Sequence, residues 1–224
     1  MQYSDTTVII PIKNEPAVVK VAKDIIKNMP ACKVVVIYKG YLDSASKSGL
    51  MRYNNLSILK QKDDGKGAAC IYAAKFIRTP IIGFIDGDDT YSAADLKRAI
   101  NLVKNGVDMV VGDRLSRLQR RSMPHFIEFG NKVLSVTSNI LYGVKINDTQ
   151  TGLRALKKSV FDSLDLKEKH FGIETELNVK VGRKGFQIKE IPIKYNQRIG
   201  SSKQVKFIDG IKLFFITLKF LFAK

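Results

Sequence analysis

The sequence is poor in cysteine and in long apolar runs, and each shortage excludes a class of protein. Two cysteines, Cys32 and Cys70, cannot build a disulfide framework, so we expect a reducing cytosol and inert core thiols. No apolar stretch reaches the about 20 residues that a membrane-spanning helix needs. Residues 1–5 are polar and the apolar run at 7–12 is short, so we expect no signal peptide.

Acidic residues are also scarce. The chain of 224 residues carries 21 Asp and Glu against 38 Lys and Arg, a formal net charge of +17 at pH 7. Such an excess indicates an anionic partner, such as nucleic acid, an anionic membrane or a phosphorylated substrate. Because the lysines are scattered and no zinc-ligand or RNA-binding motif accompanies them, we favour phosphates and a membrane surface over nucleic acid. A solvated, lysine-rich surface would account for part of the charge.

Apolar patterning predicts strands that alternate with helices. Strands are predicted at 7–12, 33–38, 56–59, 81–85 and 107–112, and helices from Pro16 and at 43–51, 68–77 and 93–104. After Asp113 the pattern predicts a long helix at 124–142, a strand at 152–156, a helix at 173–183 and a strand at 187–194. The alternation predicts an α/β fold, with a mostly parallel sheet that helices cover on both faces.

The most informative stretch, residues 81–89, reads IIGFIDGDD. Asp86 and Asp88 follow a buried strand, at the carboxyl end where open α/β sheets bind ligands. Mg²⁺ prefers such oxygen ligands and usually shares them with substrate phosphates, while Gly87 lets the backbone approach closely. The alternative is an acidic turn that caps the helix starting near Ser92.

Two other predicted turns carry candidate binding residues. Asn14 and Glu15 follow the first strand and could bond a base or ribose, but Asn14 would equally serve as the cap of the next helix. Lys66 and Gly67 open a helix whose N-terminus could neutralise phosphate. The spacing is not that of a P-loop, and an ordinary loop is the alternative.

Three later polar segments extend this set. Arg114 follows the fifth strand and would face the same crevice as Asp86 if the fourth and fifth strands are neighbours. Residues 148–154 form a polar turn that includes Gln150, a candidate for positioning substrate. Residues 195–203 form a basic loop, in which arginine suits bidentate phosphate contacts and lysine acts as a point charge. A solvated surface loop is the alternative for each.

The last predicted helix, residues 205–222, is rich in Phe and Leu. Lys212 and Lys219 lie about two helical turns apart and therefore share a face. An amphipathic helix that lies in a membrane interface would cover its apolar residues with lipid and bring its lysines to anionic headgroups. A core or dimer helix is the alternative.

Taken in order, these elements resemble the family 2 glycosyltransferases with the GT-A fold, which is Rossmann-like. Within that family the chain looks like the dolichyl-phosphate mannose or glucose synthases, a group of polyprenyl-phosphate glycosyltransferases. The resemblance spans nearly the whole chain, and the order and spacing of its segments carry it. The segments are 8–15, 65–67, 86–88, 112–114, 130–131, 148–154, Glu174, Glu176, 191–195 and 198–203.

The resemblance implies an activity and a set of site residues. One sugar would move, with inversion, from a UDP- or GDP-sugar to dolichyl or another polyprenyl phosphate. Asp86 and Asp88 would hold Mg²⁺ or Mn²⁺ on the donor diphosphate, and Arg114 and Arg198 would complete the catalytic set. The nucleotide-sugar site would comprise Pro11, Asn14, Glu15, Lys66, Gly67, Asp86, Gly87 and Asp88. The acceptor site would comprise Arg114, Arg121, Gln150, Arg198, Ser202 and Lys203.

The resemblance also implies how the chain is organised. We expect one catalytic domain at residues 1–204, with a nucleotide-sugar half at 1–114 and an acceptor half at 115–204. Residues 205–224 would form a membrane-associating helix. The protein would then be peripheral, on the cytoplasmic face of the membrane, without a transmembrane span. The sequence leaves the oligomeric state open.

The chain departs from the family in two turns. After its second strand the family has an Asp-Asp-x-Ser type of turn whose first Asp helps to hold the base, whereas residues 38–41 here read YKGY. Mannosyl enzymes typically place Leu-Gln directly after the Asp-x-Asp, whereas Asp89, Thr90 and Tyr91 follow Asp88 here. These departures leave the nucleotide base and the sugar open.

Two other functions remain open from the residues. The same fold could act on a glycan hydroxyl, in which case Glu174 or Glu176 would be the candidate general base. Alternatively, the altered turn at 38–41 would suit a catalytically silent, membrane-bound nucleotide-sugar binder.

Overall fold

A computed structural model of the protein describes residues 2–117 and 145–197, together with residues 130, 132, 133, 135–137, 139 and 215. The strands are β1 Thr6–Lys13, β2 Lys33–Lys39, β3 Leu56–Lys60, β4 Ile81–Phe84, β5 Met109–Asp113, β6 Arg154–Lys157 and β7 Ile188–Pro192. The helices are α1 Val18–Asn28, α2 Ser44–Leu50, α3 Lys66–Ala74, α4 Ala93–Lys104, α5 Lys158–Ser163 and α6 Ile173–Arg183. A short 3-10 helix, Leu115–Arg117, follows β5.

The described strands form one sheet of seven, in the order β3-β2-β1-β4-β6-β5-β7. All neighbouring pairs are parallel except those of β6, which is antiparallel to both β4 and β5. The predicted α/β fold with a mostly parallel, helix-flanked sheet is confirmed. The condition under which Arg114 would share a crevice with Asp86, that β4 and β5 are neighbours, is not met, because β6 pairs with both strands and separates them.

Apolar residues alternate between the two faces of the central strands. In β1, Val8, Ile10 and Ile12 pack towards α1 and α4, whereas Ile9 packs towards α3 and α6. This period of two follows from the pleat of a strand, and it gives the sheet an apolar core on each side. Cys32 and Cys70 lie within these cores, where burial raises the pKa of each thiol to about 12, as expected for inert thiols.

The sheet order has its switch point at the carboxyl ends of β1 and β4. From β1 the order runs to β2 and β3 on one side and to β4 on the other. Open α/β sheets bind ligands outside such a switch point, because the connections leave in opposite directions and open a crevice. The residues that follow β1 and β4 therefore face a common crevice.

Several sequence-based expectations fall mainly outside the described residues. The described positions of the predicted helix at 124–142 are helical, and Phe215 is helical and exposed. The basic residues 198–203 and the remainder of the predicted helix at 205–222 lie outside. Among the described residues, none of the helices is both long and apolar enough to span a bilayer. The division into 1–204 and 205–224 stays a prediction.

Candidate active site

Residues 86–89, which we call the acid turn, follow β4 directly. The Oδ1 atom of Asp88 accepts hydrogen bonds from the backbone N–H and the hydroxyl of Thr90, at 3.2 and 2.7 Å. At Gly87 a Cβ atom would lie 2.4 Å from the Cγ2 of Ile12, so glycine lets the turn pack against β1. The protein itself therefore fixes the turn and its two carboxylates at the mouth of the crevice.

Lys66 joins Asp86 to Glu174, and we call these three side chains the lysine cluster. The Nζ atom of Lys66 lies 2.6 Å from Asp86 Oδ1 and 2.8 Å from Glu174 Oε1. Burial alone would lower the pKa of Lys66, but the charges of Asp86 and Glu174 outweigh it and hold the pKa well above its usual value. The lysine is therefore a fixed positive charge at the acid turn.

Two glycines explain the position of Lys66. At Gly65, whose φ is +106°, a Cβ would lie 2.1 Å from the carbonyl oxygen of Lys169, and at Gly67 a Cβ would lie 2.0 Å from that of Glu168. The same Lys169 carbonyl accepts a hydrogen bond from the backbone N–H of Ala68 at 2.9 Å. The close approach that Gly67 permits is thus to the chain itself, and its place in the nucleotide-sugar site stays a prediction.

Gly152 and Tyr91 close the other side of the lysine cluster. A Cβ on Gly152 would lie 2.3 Å from Asp86 Oδ2 and 2.9 Å from Lys66 Nζ. The backbone N–H of Gly152 donates to the hydroxyl oxygen of Tyr91 at 2.9 Å. Burial raises the pKa of Tyr91, so this hydroxyl stays protonated near neutral pH.

Arg114 is held by a buried carboxylate. Its Nε and Nη2 atoms donate to the two oxygens of Asp148 at 2.6 and 2.8 Å, and its backbone N–H donates to Asp148 Oδ2 at 3.0 Å. The guanidinium also lies over the ring of Tyr195, 5.2 Å from its centroid. Arg114 therefore contacts Asp148 and the ring of Tyr195, and the direct phosphate contact implied for it stays a prediction.

Tyr195 links the residues directly after the acid turn to the start of the predicted basic loop. Tyr91 and Tyr195 form an antiparallel backbone bridge, and their ring centroids are 5.4 Å apart. The backbone N–H of Asn196 donates to the carbonyl of Thr90 at 2.9 Å. The segment before residue 198 therefore packs against Thr90 and Tyr91, next to the acid turn. The predicted site residues Arg121, Arg198, Ser202 and Lys203 lie outside the described residues.

The buried side chain of Arg154 holds the backbone of residues 148–154 by hydrogen bonds. Arg154 donates to the carbonyls of Thr149 and Thr151 at 2.7 and 3.1 Å, and also bonds the side chain of Asn178. The amide of Gln150 donates to the Thr175 hydroxyl at 2.9 Å. Helix α6 thus fixes the turn that carries Gln150, whose contact with an acceptor stays a prediction.

The predicted nucleotide residues lie at the ends of β1 and β2. Pro11 is half-buried within β1, and Asn14 follows β1 with a φ of +56°. The Oδ1 of Asn14 accepts the backbone N–H of Tyr41 at 3.0 Å, next to Gly40 with its φ of +83°. Asn14 therefore joins two strand ends, and α1 begins only after Ala17, so the capping role considered for Asn14 is wrong. Glu15 lies beside it, half-buried.

A cavity of about 200 Å³ lies beside the acid turn. It is lined by residues of α1, the acid turn, the start of α4 and the segment after β7, among them Lys20, Asp24, Asp89, Tyr91 and Asn196. This volume is below the roughly 300–1,000 Å³ of typical ligand pockets. The cavity is therefore too small to hold a whole nucleotide sugar.

The carboxylates of the acid turn fit a divalent cation that is shared with a phosphate ligand. Mg²⁺ is commonly held by one or two carboxylates plus substrate phosphates, and Asp86 and Asp88 supply two such oxygen donors. Residues 2–117 and 145–197 contain no group of three or more His, Cys, Asp and Glu side chains placed to hold a metal ion. Asp86 and Asp88 would therefore supply part of a coordination shell, and this role stays a prediction.

The structure pairs the predicted residues Lys66 and Asp86, whose roles stay a prediction, and adds Tyr91, which the sequence did not single out. Its partners, Gly152 and Tyr195, are far away in the chain, so no local spacing signals them. Glu174 was considered as a general base, whereas the structure pairs it with Lys66. Fold contacts that bring distant segments together decide both roles.

Two proteins of Haloferax volcanii are similar to this chain in sequence. A dolichyl-phosphate hexose transferase of Haloferax volcanii is 28% identical over 209 residues, which cover 93% of this chain and 90% of the relative. A low-salt glycan biosynthesis hexosyltransferase of the same organism is 31% identical over 160 residues, 70% of this chain but 39% of the relative.

A solved structure and a family model complete the comparison. Glucosyl-3-phosphoglycerate synthase of Mycobacterium tuberculosis, in complex with Mg²⁺ and uridine diphosphate, matches with a TM-score of 0.75 at 14% identity. The match covers 96% of this chain and 78% of that one and shows the expected GT-A fold. The model of glycosyl transferase family 2 matches residues 7–165, most of the chain. The chain therefore belongs to glycosyl transferase family 2.

Proposed function

We propose that the protein transfers one hexose from a UDP- or GDP-sugar to dolichyl or another polyprenyl phosphate, with inversion at the sugar. The observation that carries the proposal is the acid turn, with Asp86 and Asp88 at the switch point of the sheet and Lys66 beside them. Paired carboxylates with an adjacent fixed cation suit a metal-bound diphosphate. The donor diphosphate would lie against this turn.

The residues of the site would act by alignment and by stabilising the leaving group. A bound Mg²⁺ or Mn²⁺ would neutralise charge on the departing diphosphate. Lys66 would add a second positive charge there, in a site where water is partly excluded. Gln150 and the basic residues Arg114, Arg121, Arg198 and Lys203, with Ser202, would orient the acceptor phosphate for in-line attack.

The acceptor phosphate is already an anion near neutral pH, so the reaction needs no general base. The two candidate general bases, Glu174 and Glu176, are both bonded to other groups of the protein. Glu174 is buried and paired with Lys66, and Glu176 is buried and accepts the backbone N–H groups of Lys167 and Glu168. A base must reach the proton that it removes. The geometry therefore favours a phosphate acceptor over a glycan hydroxyl.

The acceptor assignment rests on charge and on the relatives. Donor and acceptor are both anionic and repel one another, and the net charge of +17 would offset that repulsion. The Haloferax relative is named for transfer of hexose to dolichyl phosphate. A lipid acceptor would bring the enzyme to the cytoplasmic face of a membrane as a peripheral protein, with residues 205–224 as the interfacial helix.

The nucleotide base would lie over the ends of β1 and β2. Tyr41 is 72% exposed there, and Asn14 anchors its backbone. A tyrosine ring offers a stacking platform, which every base can use, in place of the carboxylate that the family's turn provides. Both UDP- and GDP-sugars are therefore retained as donors.

A donor and acceptor panel tests the proposed function. UDP- and GDP-hexoses are offered with Mg²⁺ or Mn²⁺ to a short polyprenyl phosphate, to the matching polyprenol and to a glycan. We expect product from the phosphate alone. Product from the glycan would establish the hydroxyl-acceptor reaction instead. Donor binding without any product would establish a silent binder.

A further inference from the structure

We propose that Lys66 pairs with Asp86, a predicted metal ligand, in the donor-free protein and leaves it only when a nucleotide diphosphate binds. Divalent cation and nucleotide would then bind as a coupled pair. The inference rests on the proposed function, because it concerns the same carboxylate and the same diphosphate.

Lys66 blocks one oxygen of Asp86 directly. Its Nζ atom is 2.6 Å from Asp86 Oδ1, a distance at which a second cation could not bind that oxygen without displacing the ammonium. The other oxygen, Oδ2, lies against Gly152, where even one added methyl group would approach to 2.3 Å. Asp86 is therefore paired through Oδ1 and closely packed at Oδ2 before any ligand binds.

The lysine cluster nevertheless leaves one carboxylate oxygen without a hydrogen-bond donor among the described residues. Two carboxylates, Asp86 and Glu174, share a single ammonium group. Glu174 Oε2 is buried and, within the described residues, has no hydrogen-bond partner. A buried carboxylate oxygen without a partner is costly, so a Lys66 side chain that moved towards Glu174 would lower that cost.

Lys66 has an alternative partner on each side. Glu174 remains beside it when it leaves Asp86, since the two side chains are already 2.8 Å apart at their charged atoms. A bound diphosphate offers a second anionic partner, to which an ammonium group donates readily. Gly65 and Gly67 fix the backbone at Lys66 against the chain at residues 168–169, so only the side chain has to move.

Mn²⁺ binding measures this exchange without turnover. Electron paramagnetic resonance titrations follow Mn²⁺ in the wild type, in Lys66→Met and in Lys157→Met, each with and without UDP or GDP. Lys157 is the matched control, because it forms a lysine–aspartate pair of the same 2.6 Å length with Asp108, next to the amino end of β5. Both substitutions remove one positive charge; Lys66→Met removes the ion pairs with Asp86 and Glu174, and Lys157→Met removes the pair with Asp108.

Lys66→Met should strengthen the binding of Mn²⁺ alone and weaken the binding of nucleotide diphosphate. Without nucleotide, Lys66→Met should bind Mn²⁺ about tenfold more tightly than the wild type, since the competing ammonium is gone; about tenfold corresponds to ~1.4 kcal/mol. With nucleotide diphosphate, the variant should bind the nucleotide about tenfold more weakly, because a phosphate partner is lost. Lys157→Met should change neither affinity by more than about twofold.

Other results overturn the inference. If Lys66→Met binds Mn²⁺ alone no more tightly than the wild type, Lys66 does not compete for Asp86. If Lys66→Met loses its near-ultraviolet circular dichroism, Lys66→Gln is judged by the same criteria, and loss of folding in both variants would make Lys66 a structural residue. A wild type that binds Mn²⁺ but no nucleotide diphosphate would contradict the proposed function, while the titration with Mn²⁺ alone still decides the role of Lys66.

Discussion

Replacing Asp148 with Asn should strongly destabilise the protein, because it leaves the buried guanidinium of Arg114 without its counter-charge. Asp148 is fully buried and accepts three hydrogen bonds from Arg114, two of them from the guanidinium. Breaking a buried ion pair by removing one partner costs ~3–5 kcal/mol. In a domain of this size ~1 kcal/mol shifts the melting temperature by about 2–4 °C, so we expect a decrease of roughly 6–20 °C.

Urea denaturation followed by circular dichroism gives the free energy of unfolding directly. Asp165→Asn is the control, because it removes a carboxylate that pairs with Lys167 on the surface, where the two side chains are 80% and 75% exposed. Exposed pairs contribute less than about 1 kcal/mol. Adding Arg114→Met to Asp148→Asn should recover part of the loss, since the unpaired charge is removed. A loss for Asp148→Asn as small as that for Asp165→Asn would refute the reasoning.

Four further predictions concern the site and its surroundings. Asp88→Asn should lower transfer roughly hundredfold, on the order of 3 kcal/mol, with an unchanged melting temperature; near-normal turnover that also tolerates EDTA would remove metal from the mechanism. Gly152→Ala should weaken nucleotide-dependent Mn²⁺ binding, because the new Cβ would lie 2.3 Å from Asp86 Oδ2, and an unchanged affinity would contradict that geometry. Burial raises the pKa of Glu190 from 4.5 to about 7, so between these pH values the folded state binds more protons than the unfolded state. The wild type should therefore lose stability relative to Glu190→Gln as the pH rises through this range. Melting temperatures of the two proteins that change in parallel with pH would disprove this prediction. Deleting residues 207–224 should release the protein from anionic vesicles and lower activity on a long-chain lipid phosphate more than on a short analogue, whereas unchanged sedimentation and chain preference would make this segment a core or dimer element.

Local signals in the sequence predict the elements well. Helices expected at 93–104 and 173–183 are found at Ala93–Lys104 and Ile173–Arg183. The first has a clear signal, because the Ser92 side chain caps it by accepting the N–H of Ala94 at 3.2 Å. The buried run at 81–85 also predicts β4, and with it the position of the acid turn. Periodicity and capping are local properties, so a sequence reports them directly.

The arrangement of distant segments could not be predicted in the same way. Strand β6 reads like any short buried strand, and only its pairing with both β4 and β5 shows that it lies between them. Likewise, Asp148 is one of several polar residues in its turn, and its bond to Arg114 depends on where β5 ends. The Tyr91–Tyr195 contact has no local signature at all. These interactions follow from packing of the whole sheet, which a pattern within one segment does not encode.

Transfer of sugar to a lipid phosphate is the central claim, and the products of one reaction test it most directly. Purified protein is incubated with a nucleotide hexose, Mg²⁺ and a short polyprenyl phosphate, and both products are identified by mass spectrometry. We expect the lipid phosphate to gain one hexose residue and an equal amount of nucleoside diphosphate to appear, in the wild type and not in Asp88→Asn. Release of nucleoside monophosphate, or an unmodified lipid with every donor while a glycan acceptor is extended, would contradict the account.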